Sequence, residues 1–200
     1  MSEQVVEVRP SDGVAVVVSE LLAPVIVIPL VTIIVSWHSS PSLLDGIAFA
    51  AVTGFFAAVL PYAALMLGLR RGRFADRNVR DRAQRPVLLA FTLGSVTLGL
   101  AILRGIGAPK DLFALMAAMV AGMAITLLVS TFWKISIHVA CVAGVVASLA
   151  LLIDGRAWWL SPLVGATAWS RMVLRHHSLA QVVAGAVAGA GTAAVALTLL

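Results

Sequence analysis

The chain has 200 residues, 61% of them hydrophobic and 12% charged, with a mean hydropathy of +1.05. That balance excludes an ordinary soluble domain, which is about half apolar and about a quarter charged, and the single cysteine, Cys141, excludes a disulfide-stapled module. A net charge of +5 and a pI near 10.7 do not point to nucleic acid, because the basic residues cluster beside apolar runs and lack interleaved aromatics.

Residues 1–13 carry Glu3, Glu7, Asp12 and one Arg9. They form a polar N-terminal segment rather than a secretory signal, which would begin basic, and we expect them to be retained. Residues 14–200 are expected to form a single transmembrane domain, since no linker interrupts them. The first apolar run, 14–37, would measure about 36 Å as a helix, enough to cross a hydrocarbon core of about 30 Å. Glu20, Pro24 and Pro29 interrupt it, and Glu20 is placed to reach the interface or a basic partner. Further runs cover 45–69, 86–104, 109–132, 135–153, 157–174 and 178–200. The predicted fold is an all-α, polytopic helical bundle of six or seven helices: the 104–111 connection is short and the 157–174 run barely crosses. Trp37, Trp133, Trp158, Trp159 and Trp169 fall near run ends, where an indole prefers the headgroup level.

If every run crosses, the N-terminus, the 70–85 loop and the junctions at 133–138 and 170–177 share one membrane face. That face holds eleven of the fourteen Lys and Arg residues: Arg9, seven arginines from Arg70 to Arg85, Lys134, Arg171 and Arg175. Only Arg104, Lys110 and Arg156 fall on the other. The positive-inside rule makes the basic face cytoplasmic. Arg70, Arg71 and Arg73 directly follow a helix end and are expected to meet anionic lipid headgroups.

His38 lies alone on the opposite side and reads as a solvated interfacial histidine. His138 and His177 each begin a helix, and with His176 they fall on the face of the arginine loop. Two histidines facing clustered arginines at headgroup level suggest phosphoryl chemistry. Arginine grips phosphate oxygens in a fork, one imidazole attacks phosphorus, and another protonates the departing oxygen.

Three motifs then carry a resemblance. Ser170 and Arg171 are followed after five residues by His177 and after three more by Gln181; Ile135, Ser136, Ile137 and His138 form a tetrad; Arg85 and Pro86 follow Asn78 after six residues. In order and spacing, over residues 76–189, this resembles the type 2 phosphatidic acid phosphatase superfamily of membrane phosphatases. Its pattern is Lys, six residues, Arg-Pro; Pro-Ser-Gly-His; and Ser-Arg, five residues, His, three residues, Asp. The first and second motifs are eroded here. The resemblance implies hydrolysis of a lipid phosphate or isoprenoid diphosphate without metal or other cofactor. His177 would form a phosphohistidine, His138 would protonate the leaving oxygen, and Arg85, Arg171, Ser136 and Ser170 would bind phosphate. The expected partners are a membrane lipid substrate and the bilayer. The sequence does not fix the oligomeric state.

Asn78 stands where the family has lysine, and Arg77, Arg80, Arg82 and Lys134 are candidates to supply the missing charge. Gln181 lies four residues after His177, so on a helix its amide oxygen can accept the ring N–H, fixing the tautomer without stabilising an imidazolium as a carboxylate would. Dolichyl diphosphatase-like members of the superfamily look similar at this position, which favours a polyprenyl diphosphate. Asp76 and Asp81 read as ion-pair partners ordering the arginine loop. They lack the spacing of membrane prenyltransferases or CDP-alcohol phosphotransferases, and we expect no metal site. Gly185 and Gly189 allow close helix packing, expected within the bundle rather than at a dimer seam. Two other functions compete: a catalytically degenerate relative that binds anionic lipid or supports a partner enzyme, favoured by the eroded motifs, and a transporter, disfavoured because Glu20 is the only intramembrane charge.

Overall fold

The computed structural model describes residues 10–76 and 84–200. Among them the order is α1 (Pro10–Leu21), α2 (Pro24–Ser39), α3 (Leu43–Gly54), α4 (Leu60–Arg70), α5 (Arg85–Gly105), α6 (Lys110–Phe132), α7 (Ile137–Leu152), α8 (Pro162–Val173) and α9 (Leu179–Leu199). The protein is a membrane-embedded helical bundle without strands among the described residues. Five helical stretches, 12–39, 43–70, 85–105, 110–132 and 179–199, are long and apolar enough to cross a bilayer. The other two runs give shorter helices, 16 residues in α7 and 12 in α8.

Proline chemistry explains where the helices depart from the expected runs. The 14–37 run is two helices, because Pro24 pushes the preceding residue out of the helical region and Ala23 is extended at φ −69°, ψ 147°. In the 45–69 run a π-helical turn, Phe55–Val59, joins α3 to α4, with the Leu60 N–H donating to the Phe55 carbonyl. The next donor in that pattern would be Pro61, which has no N–H. The Phe56 carbonyl instead accepts from Ser95 Oγ of α5 at 2.6 Å, so a neighbouring helix satisfies it in the apolar interior. The 157–174 run opens as a 3₁₀ helix, Gly155–Leu160, whose start Asp154 caps by accepting from the Arg156 N–H at 2.8 Å.

α7 is the central element, with Val139, Val142, Val146 and Ala147 buried along it. Its closest partner is α9. A Cβ at Gly189 would overlap the Ala140 carbonyl oxygen, and one at Gly185 would press on the Ser136 carbonyl. The small residues of α9 therefore serve packing inside the bundle, where two backbones approach directly. The Ser136 N–H donates to the Gln181 carbonyl at 3.2 Å, pinning the start of α7 to the first turn of α9. On the other side, Val31 and Val35 of α2 pack with Leu112 and Leu115 of α6. Ser39 Oγ donates to Asp111 at 2.8 Å, tying the end of α2 to the start of α6. Outward faces are apolar, as at Leu44, Val87, Leu128, Val187 and Leu199, and all five tryptophans are exposed.

Candidate active site

Three local structures build the site. α8 ends in a Schellman turn: the His176 N–H donates to the Arg171 carbonyl at 3.0 Å and the Arg175 N–H to the Met172 carbonyl at 2.9 Å. Arg175 holds the left-handed position, at φ 53°, that glycine usually fills. This turn reverses the chain within five residues, bringing His177 back beside Arg171. α9 then begins with a capping box between Ser178 and Gln181. Third, the start of α7, pinned to α9, carries His138.

Gln181 has two tasks. Its Oε1 accepts from the Ser178 backbone N–H at 3.2 Å and faces His177 Nδ1 at 3.1 Å. Because a backbone N–H only donates, the amide oxygen must point toward this pair, and Nδ1 must carry the ring proton. Nε2 of His177 is thereby left with its lone pair, the requirement for a nucleophile. Burial, reinforced by the charges of Lys134 and Arg171 and opposed by the Gln181 bond, pushes the His177 imidazole from its ordinary value down to about 3. The ring is neutral throughout the physiological range.

His138, His177, Arg85 and Arg171 line one cavity of about 210 Å³, with Glu20 and Tyr62 also on its wall. Both guanidinium groups are almost fully buried. Arg171 Nη1 donates to Ser19 Oγ of α1 at 2.8 Å, and Arg85 Nη1 donates to the Ile135 carbonyl at 3.3 Å. These contacts fix the forks at the cavity wall, and the Asp76 carboxylate acts electrostatically on Arg85. His138 is within electrostatic reach of Arg171, His177, His176 and Arg85. Two buried guanidinium groups beside two imidazoles give the cavity wall the donors that suit an anion.

The remaining expected residues are distributed differently. Lys134 is half-buried and acts on His177 from outside the cavity lining. Ser136 is fully buried at the start of α7, and its hydroxyl has no hydrogen-bond partner among the described residues. Ser170 Oγ donates to the Thr167 carbonyl at 2.8 Å, an intrahelical bond, and neither serine lines the cavity. Arg77, Arg80, Arg82 and Asp81 lie outside the described residues. Sequence reasoning missed Ser19 and Tyr62. The signal for Tyr62 was its being the only tyrosine in the chain. Ser19 stands 152 positions from Arg171 with no local signature. No protein-family model, curated protein or solved structure matches this chain.

Proposed function

We propose that the protein is a membrane lipid phosphatase acting on a lipid phosphate or isoprenoid diphosphate through a phosphohistidine. The observation that carries this reading is the shared cavity of His138, His177, Arg85 and Arg171, with His177 Nδ1 held by Gln181. His177 Nε2 attacks phosphorus, the bond from phosphorus to the lipid-side oxygen breaks, and His138 donates its proton to that oxygen. Water then attacks the phosphohistidine, giving a proton to His138, and inorganic phosphate leaves with His177 restored. The arriving phosphate, bound as its singly protonated form, passes that proton to His138, and its negative charge favours the imidazolium that results. Arg85 and Arg171 stabilise charge developing on the equatorial oxygens, with Lys134 adding to the field.

A single experiment tests this reading: phosphate release by purified protein from a prenyl diphosphate and a prenyl monophosphate. His177→Ala should lose at least 10³-fold in kcat, in line with removal of a nucleophile. His138→Ala should be most damaging with the monophosphate, whose alkoxide leaving group needs the proton. Because arginine and lysine supply the positive charge, EDTA should leave the rate unchanged. Full turnover by His177→Ala would remove the enzyme reading. The second reading, a degenerate relative that only binds anionic lipid, is favoured by one observation: the Ser136 and Ser170 hydroxyls do not line the cavity. It requires lipid phosphate binding with no release by the wild type.

A further inference from the structure

A second, apolar cavity of about 100 Å³ lies deeper in the bundle and shares wall residues Ile28, Ala57, Thr92, Met123, Ile137 and Cys141 with the charged one. The two are consecutive along the helices. On α7 the shared residues Ile137 and Cys141 come first, and the deeper wall continues through Ala140, Gly144, Val145 and Ser148. These six positions have the i, i+3, i+4, i+7, i+8, i+11 spacing of one helix face. α6 runs the opposite way and presents a face of the same spacing from Thr126 down to Leu115.

The deeper wall is apolar even where it carries hydroxyls. Thr92, Thr126 and Thr192 each donate to a carbonyl of their own helix, at 2.8, 2.7 and 2.8 Å, so their hydroxyl protons are already satisfied. From Ile137 to Ser148 the helical rise is about 16 Å, the extended length of roughly a dozen carbons. Engineered apolar cavities of about 150 Å³ stay dry and take up small hydrocarbons. The slot of about 100 Å³ is smaller than these but adjoins the cavity of about 210 Å³, so it suits the far end of one apolar chain of small cross-section that begins in the larger space.

Resting on the phosphatase reading above, we infer that the substrate is a single-chain lipid phosphate whose tail threads down this interior slot between α6 and α7, instead of lying against the outer surface. The phosphate sits between Arg85 and Arg171, and the chain passes Cys141 into the bundle. A glycerolipid with two acyl chains presents two tails to a slot with room for one.

Photolabelling tests this without requiring turnover. The probe is a three-unit prenyl phosphate with a diazirine on its terminal isoprene, applied to wild-type protein and to His177→Ala. Label on Leu115, Met119 or Ser148, which line only the deeper cavity, is expected; label confined to the lipid-facing Leu128 and Phe132 of the same α6 overturns the inference. In kinetics, kcat/KM for the three-unit prenyl phosphate should exceed that for a two-chain phosphatidate by at least tenfold, and equal values would also overturn it. Ala118→Phe, which fills the deep part of the slot, should raise KM for the three-unit substrate at least tenfold and leave the one-unit substrate unaffected. Outward label with an active, His177-dependent enzyme refutes the slot alone. Interior label on a protein that releases no phosphate refutes the phosphatase reading alone.

Discussion

Gln181 holds His177 with a neutral oxygen, which only partly opposes the burial and nearby cations that keep the imidazole neutral. With His177 held near 3, a free-enzyme kcat/KM profile that depends on its neutral form should retain activity well below pH 6.5 and lose it only on approach to 3. Gln181→Asp places a carboxylate beside Nδ1, favours the imidazolium, and should move the acid limb upward; a profile unchanged by the substitution would show that Gln181 does not control this ring. The relation of Arg171, His177 and Gln181 was legible in the sequence because all of it is local, one helix end, one turn and one helix start. The hydroxyl of Ser170 was not, because intrahelical bonding to Thr167 competes with ligand binding and leaves no mark on motif spacing. Nor was Ser19, whose bond to Arg171 exists only through tertiary packing.

At the level of elements, the turn between α8 and α9 carries a testable cost. A left-handed conformation costs a non-glycine residue about 1–2 kcal/mol, while glycine's extra backbone freedom costs about 0.5–1. The first exceeds the second, so Arg175→Gly should stabilise the protein by roughly 0.5–1 kcal/mol, and Arg175→Val should destabilise it by more than about 1, both read from thermal unfolding in detergent. Gly189→Ala should act oppositely to a usual glycine-to-alanine change in a helix. Its Cβ would collide with the Ala140 carbonyl, and relief by separating α7 from α9 should cost about 1–3 kcal/mol and reduce activity, since that contact registers His138 against His177. The sequence reads 14–37 as one span with two tolerated prolines, and only the structure separates Pro24, which ends α1, from Pro29, which α2 absorbs. The π turn was hidden, because it depends on how the carbonyls freed near Pro61 find partners on α5 and not on the apolar pattern of residues 45–69.

Across the molecule, charge and topology argue together. All seven apolar runs contain helices, and residues from α1, α2, α4, α5, α6, α7 and α8 meet at the charged cavity. By the positive-inside rule, the eleven-to-three distribution of Lys and Arg predicts a cytoplasmic basic face. In a Cys141→Ala background, Arg73→Cys, at an exposed position, should escape a membrane-impermeant maleimide in intact cells and react after permeabilisation; labelling in intact cells reverses the orientation. The π turn also bears on how this chain tolerates insertion and deletion. Removing one residue from Phe55–Val59 would restore regular helical winding and leave the facing of α4 relative to α3 nearly unchanged, because the wide turn is what absorbs the extra residue. Pro61, Tyr62 and Leu65 would stay on the cavity wall. The same single-codon deletion within α3 has no such turn to absorb it and would rotate α4 by about 100°, dismantling one side of the chamber while leaving composition and hydropathy almost unchanged.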